Sequence, residues 1–118
     1  MDVKLKIKDI IQSHKAVSSD NGDKVFRLIK KNLDTKNYLV LDFDEIELII
    51  TAFLNAAIGQ LYSNNLYESS FLNEHIKFDN IKQRDVKLFK DVVETAKIYF
   101  ANKASFEKHS DNTIYGKN

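Results

Sequence analysis

The sequence contains no cysteine and no proline, and only three of its 118 residues are glycine. The absence of cysteine excludes disulfide bonds, thiolate catalysis and cysteine-ligated zinc sites. The glycines Gly22, Gly59 and Gly116 are too far apart to form a Walker A motif or a GxGxxG loop. Glycine-rich phosphate-binding loops are therefore excluded as well.

Charge excess and long apolar runs are also missing. The 18 basic and 17 acidic residues leave a formal net charge of +1, without the basic excess that general nucleic-acid binding requires. No apolar run reaches the roughly 18 residues that span a bilayer. Charged residues are scattered through the N-terminal segment, where a signal peptide would have an apolar core. We expect a cytoplasmic protein with no nucleic-acid partner and no membrane insertion.

The hydrophobic pattern predicts alternating strands and helices. Predicted strands lie at 3–7, 14–17, 38–43, 46–50 and 75–81, and predicted helices at about 22–33, 51–63 and 83–102, with a short helical turn within 66–74. Asp20 or Asn21 is the predicted N-cap of the first long helix. This order favours an α/β fold with a mixed or mostly parallel sheet covered by helices. We predict one domain over 1–102 and a polar tail over 103–118 that is frayed or disordered.

Four acidic residues, Asp42, Asp44, Glu45 and Glu47, stand at and after the end of the predicted strand 38–43. Such oxygens bind hard metal ions, and Asp42 and Asp44 would share one face of a strand. The alternative is a solvated strand edge and turn, where carboxylates are common. No EF-hand spacing, HxxxH pair or GxSxG motif accompanies them. We therefore predict a protein that is not an enzyme, with no catalytic residue, metal or cofactor.

Thr51 lies where the strand-like pattern gives way to a helical one. One interpretation is an N-cap, in which the hydroxyl accepts the backbone N–H of Phe53 or Leu54. The other is a regulated hydroxyl, because a phosphate at a helix N-terminus would be stabilised by the helix dipole. Both interpretations require Thr51 at the first turn of a helix.

Three stretches around Thr51 resemble the central motif of the STAS-like domain family of unknown function, which is related to sulfate transporter and anti-sigma factor antagonist domains. They are "LDF" at 41–43, Ile46 after the bend, and "TAFLNAAIGQLY" at 51–62. The flanking "GDKVFRLIKKNL" at 22–33 and "EHIKFDN" at 74–80 are similar to the neighbouring helix and strand. The resemblance spans about 22–100. It implies an αβ sandwich with a mixed, mostly parallel sheet of four to five strands and helices mainly on one face.

The resemblance also implies a bacterial, non-catalytic regulatory module that docks on a partner such as a GHKL-type ATPase or kinase. Anti-sigma factor antagonists have an Asp-Ser pair at this junction, and the Ser is phosphorylated. Ile50 and Thr51 stand at these places here, so the hydroxyl is kept and the acidic neighbour is not. The candidate partner contacts are Thr51, Asp44, Glu45 and Asn55.

Two alternative functions remain open from the residues. The first is a small-ligand or metal-binding protein that uses Asp42 and Asp44. The second is a self-associating structural module, for instance a homodimer, because Leu88 and Ile98 lie at the edge of the apolar stripe of the last helix or outside it.

Overall fold

The computed structural model describes residues 2–63 and 67–108, with the side chains of 2–62 and 67–97. The predicted α/β class is confirmed. The strands are β1 (Asp2–Lys6), β2 (Lys15–Ala16), β3 (Tyr38–Asp42), β4 (Leu48–Ile49) and β5 (Ile76–Asp79). The α-helices are α1 (Ile7–Ile11), α2 (Ser19–Asp34), α3 (Thr51–Leu54), α4 (Gln60–Ser63), α5 (Ser69–His75) and α6 (Val86–Lys108).

One continuous helix follows β4. A π-helical segment, Asn55–Gly59, joins α3 to α4, and we call these three pieces together the junction helix. A single 3-10 turn, Gln83–Asp85, leads into α6. The predicted helix at 51–63 is therefore present, with a local widening in its middle.

The main sheet has three parallel strands in the order β1-β3-β5, and not the predicted four to five. The two-residue strands β2 and β4 form a separate parallel pair, which we call the β2–β4 ribbon. The reason lies in the connections: α1 directly follows β1, and a turn with a left-handed Glu45 follows β3. Each redirects the chain before the next strand begins, so β2 and β4 pair with one another beside the main sheet.

The main sheet packs its apolar side chains on one face. The register aligns Val3 with Leu39 and Ile76, and Leu5 with Leu41 and Phe78, and all six are buried or partly buried against the core. On the other face Val40 is half-buried between the exposed residues Lys4 and Lys77. Helices therefore cover mainly one face, as expected.

Helix α2 begins at Ser19 because Ser18 is its N-cap. Ser18 has extended backbone angles, and its hydroxyl accepts the N–H of Asn21 at 3.1 Å. The predicted caps, Asp20 and Asn21, are wrong, since both lie inside the first helical turn. Behind this start, the three-to-four spacing buries one stripe of α2, which consists of Gly22, Val25, Ile29 and Leu33.

Helix α2 and the junction helix touch through their backbones at Gly22. A Cβ atom at this position would lie 2.5 Å from the Phe53 carbonyl oxygen and 2.6 Å from the Ala56 Cβ. Beside the contact, the Gln60 side-chain amide donates to Asp23 Oδ1 and to the Ala56 carbonyl, each at 2.8 Å. Gln60 thus satisfies a carbonyl within the π-helical segment and ties it to α2.

Predicted boundaries shift in the C-terminal half. Helix α5 includes His75, so β5 spans Ile76–Asp79 instead of the predicted 75–81. Helix α6 spans Val86–Lys108 instead of the predicted 83–102. Residues 109–118 of the predicted tail lie outside the described residues, and the predicted domain limits stay a prediction. Leu88 packs against the core, which weakens its proposed role in self-association, and the side chain of Ile98 lies outside the described part.

We predict that Gly22→Ala destabilises the protein by about 1–3 kcal/mol, because the new methyl group overlaps a backbone oxygen that cannot rotate away. Gly59→Ala is the matched control, since its Cβ would meet its nearest neighbour at an ordinary 3.6 Å. We expect the control to be neutral or to gain up to about 1 kcal/mol from helix propensity. Urea unfolding measures both; equal effects would contradict the close-contact interpretation.

Candidate functional site

Two strand-to-helix junctions lie side by side at one end of the β2–β4 ribbon. Strand β2 leads into α2, and β4 leads into the junction helix. The Ile50 N–H donates to the Ala16 carbonyl at 3.1 Å, so the two parallel segments stay paired up to the end of the ribbon. The Gly22 contact then holds the first turns of the two helices against each other.

Thr51 is exposed and is the first residue of the junction helix. Its predicted role as N-cap is wrong, because Ile50 occupies the cap position with φ −122° and ψ 165°. Ile50 stays extended since its N–H is still bonded to β2, and the helix can begin only at the next residue. The Thr51 hydroxyl therefore does not cap the helix.

An exposed apolar cluster precedes Thr51. The exposed fraction is 37% for Val17, 47% for Leu48 and 38% for Ile50. Their neighbours along the ribbon, Ala16 and Ile49, are buried, so side-chain alternation places the three exposed residues on the outward face. We call Val17, Leu48, Ile50 and Thr51 the junction surface. Asn55, a predicted contact, is exposed one helical turn after Thr51.

Asp42 is a structural carboxylate. It is only 4% exposed, and its Oδ1 accepts the Asp44 N–H at 2.9 Å and the Asn80 side-chain amide at 2.7 Å. Burial raises the pKa of Asp42, but these hydrogen bonds and the ammonium of Lys4 outweigh it and leave the pKa below its ordinary value. Asp42 thereby fastens the end of β3 to the turn that follows β5.

The metal hypothesis for the acidic group gains no geometric support. Asp44 is exposed and meets Asp42 through its backbone N–H. Within residues 2–63 and 67–108, no group of three or more acidic or histidine side chains is arranged to hold a metal ion. Asp44 remains an exposed candidate for a partner contact.

Glu45 holds the turn between β3 and β4 in place. Its φ of 66° is left-handed, an uncommon and strained state for a residue other than glycine. Lys6 and Lys8 each place an ammonium 3.3 Å from its carboxylate, and His14 Nδ1 donates to its carbonyl at 2.8 Å. We call these contacts the Glu45 latch. The two lysines lower the pKa of Glu45, and the hydrogen bond to Glu45 raises the pKa of Lys6.

Two more basic side chains hold the same turn from the loop after β5. Lys82 donates to the Ile46 carbonyl at 2.6 Å, and Arg84 donates to the Glu47 carbonyl. Sequence reasoning missed these contacts and the Glu45 latch because the paired residues stand about three dozen positions apart. For the latch, the available signal was the opposite charge of "KLKIK" at 4–8 and the acidic group at 42–47. Glu45, one of the predicted partner contacts, is thus bound to other residues of its own chain.

The family model described as a STAS-like domain of unknown function (DUF4325) matches residues 21–85, just over half of the chain. The chain belongs to this family. The resemblance inferred from the motifs around Thr51 is thereby confirmed. The matched part of this STAS-like domain contains β3, β4, the junction helix and β5, while β1, β2 and all of α6 lie outside it.

Other comparisons add little to this assignment. No curated protein and no solved structure gives a significant match to the STAS-like domain. Among its described helices, none has the length and apolar character needed to cross a bilayer.

We predict that Thr51→Ala changes the free energy of unfolding by less than about 0.5 kcal/mol, as expected of a surface side chain that caps nothing. Ser18→Ala is the matched comparison, and its loss of the bond to Asn21 costs about 1 kcal/mol. Urea unfolding measures the loss of free energy of unfolding for both variants. A larger loss for Thr51→Ala than for Ser18→Ala would restore Thr51 as the structural cap.

We predict that the Glu45 latch stabilises the fold at neutral pH and not in acid. Because the pKa of Glu45 is depressed, its contribution is present above the unfolded value of 4.5 and is lost as the pH falls through the folded value. The raised pKa of Lys6 adds a contribution present below 10.5 and lost as the pH rises through the folded value.

Glu45→Gln tests this, because it removes the charge and keeps the shape. Its urea midpoint should lie below that of the wild type at pH 7 and meet it at pH 3. Asp91→Asn, at an exposed pair with Lys87, serves as the control and should change little at either pH. A gap between wild type and Glu45→Gln that is the same at both pH values would refute the latch.

Proposed function

We propose that this STAS-like domain is a non-catalytic regulatory module that binds a partner protein through the junction surface. The observation that carries the proposal is the exposed cluster Val17, Leu48 and Ile50 directly beside an exposed Thr51 hydroxyl. Adjacent apolar side chains that stay in contact with water are typical of protein-binding sites. Asn55 and Asp44 would extend the contact on either side of this surface.

The bonds that the acidic side chains make within the fold support the proposal that the protein is not a catalyst. Asp42 is fixed by Asp44 and Asn80, and Glu45 is fixed by Lys6 and Lys8. These carboxylates position the turn before β4. They are engaged in the fold instead of converging on an open cleft.

The resemblance to anti-sigma factor antagonists favours a GHKL-type ATPase or kinase as the partner and the cytoplasm as the location. Thr51 stands where those proteins have a phosphorylated Ser, and its hydroxyl is accessible. A phosphate at Thr51 would add a charge of about −1.5 to −2 beside Leu48 and Ile50, which would change the affinity for an apolar partner surface. Ile50 stands where those proteins have an acidic residue. We therefore propose partner contact as the main role of Thr51 and phosphorylation as a secondary one.

Affinity capture from cells of the source organism tests the proposal. Tagged wild-type protein is compared with Leu48→Ser and with Tyr38→Ser, a control that removes an apolar side chain of similar exposure from the far end of β3. Thermal melts first establish that both variants fold. We expect an ATPase or kinase-like protein that is retained by the wild type and the control and is lost with Leu48→Ser.

Thr51 variants refine the test once a partner is purified. Thr51→Asp should change the Kd of the complex between the protein and this partner. Thr51→Ser should leave the Kd unchanged, because Ser keeps a neutral hydroxyl. Capture that is independent of Leu48, combined with turnover of a small substrate by the chain, would rule out the proposed function.

A further inference from the structure

Side chains bind backbone groups at the free edge of β2 and just before the start of β4. The carbonyls of His14 and Ala16 accept hydrogen bonds from the segment of β4, so the N–H and C=O of Lys15 point to the free edge. The Ser13 hydroxyl accepts this N–H at 3.0 Å and donates to this carbonyl at 3.4 Å. A partner strand would need these groups free to bond with it.

On the other side of the ribbon, side chains bind carbonyls of the turn that leads into β4. The Glu47 carbonyl, next to β4, accepts from Arg84, and the Ile46 carbonyl accepts from Lys82 at 2.6 Å. Addition of a strand along β2 would break the Ser13 bonds, and a strand that extended past the start of β4 would break the bonds of Lys82 and Arg84. A partner on the outward face of the ribbon would leave all of these bonds intact.

Basic groups flank the apolar residues on this face. Lys15 is the register partner of Leu48, lies on the same face and is exposed. Among the described residues, no carboxylate lies within salt-bridge distance of Lys15. Arg84, whose side chain is 59% exposed, lies beside β4 with its nearest carboxylate, Asp85, 3.8 Å away. Leu48 thus lies near two cations that are weakly neutralised, at the end of the face opposite to Val17 and Ile50.

We infer that the partner covers the face of the ribbon with an amphipathic helix whose apolar stripe is flanked by carboxylates. This inference rests on the proposed function. A helix satisfies its own backbone groups, so it can pack on this face without displacing the bonds of Ser13, Lys82 and Arg84. Its carboxylates would pair with Lys15 and Arg84, while its apolar stripe removes Leu48 and Ile50 from water.

Charge argues against a second copy of the chain on this face, and the lack of large aromatic side chains argues against a lipid surface. A two-fold dimer formed by this face would bring the Lys15 and Arg84 of both copies into one interface, where like charges repel. Lipid-binding surfaces commonly insert Trp or other large aromatic side chains, whereas this chain has no Trp and the exposed apolar residues of the ribbon face are all aliphatic.

Synthetic peptides and the ¹⁵N-labelled full chain test the inference. The first peptide is a helix with a leucine stripe flanked by glutamates, the second has lysines in place of the glutamates, and the third has alternating Val and Glu to favour a strand. We expect the glutamate helix to shift the amide signals of residues 15–17 and 48–51. Its Kd should rise at least about tenfold with Leu48→Ser or with Lys15→Glu, and it should rise with added salt.

Two further variants act as controls. Arg84→Gln keeps a donor for the Glu47 carbonyl and removes the charge, so it should weaken the glutamate helix without unfolding the protein. Ser13→Ala opens the edge at Lys15 and should leave helix binding unchanged. Preference of the wild type for the lysine helix or for the strand peptide would overturn the inference.

Other results would overturn it in favour of a different occupant. A doubled mass in light scattering that disappears with Leu48→Ser would assign the face to a second copy. Leu48-dependent binding to phosphatidylserine vesicles would assign it to a lipid surface. A captured partner that needs Leu48 but ignores Lys15→Glu and Arg84→Gln would leave the proposed function intact and refute the acidic helix alone.

Discussion

The contact of Gly22 with the junction helix holds together the two helices that follow the β2–β4 ribbon. With no side chain at Gly22, the Phe53 carbonyl and Ala56 approach the backbone of α2 directly. Because α2 follows β2 and α3 follows β4, the same contact brings two short strands together that would be too small to pair alone. The Gln60 amide adds a polar bond at the point where the helix widens. The close approach at Gly22 thus supports both the ribbon and the first turn of the junction helix.

The turn before β4 is the second element of this frame. Three backbone carbonyls in a row, of Glu45, Ile46 and Glu47, accept hydrogen bonds from side chains of distant segments. A segment held at so many points keeps its conformation whether or not a partner is bound. Such pre-organisation reduces the entropy lost on binding. A partner would therefore meet a junction surface that is already in its final shape.

Local patterns predicted much of the fold. The alternation of Val3 and Leu5, the apolar run of β3 and the stripe of α2 follow from burial on one face, which the spacing of apolar residues records directly. The place where the strand pattern changes to a helix also predicted the start at Thr51. These features depend on neighbours in sequence, and a single sequence contains that information.

Tertiary contacts account for what the sequence left undetermined. The N-cap of the junction helix is Ile50 instead of the predicted Thr51, because a hydrogen bond to Ala16 keeps Ile50 extended. The Glu45 latch joins charges from β1 and α1 to a turn far along the chain. The exposure of Leu48 and Ile50 could not be predicted either, since an apolar run looks the same whether a helix covers it or not. The position of Thr51 was thus predictable, whereas the apolar surface beside it was not.

The parallel pairing has a consequence for how the chain reaches its native state. Asp2 pairs with Tyr38, Lys15 with Leu48 and Leu39 with Ile76, so each described strand pair joins segments separated by a helix. No pair among them can start as a hairpin, and each must close a long loop before it gains a hydrogen bond. Helix α2 and the junction helix can form locally and meet at Gly22 before the strands align. Topology of this kind folds more slowly than a helical bundle of equal length and leaves strand edges open in the meantime.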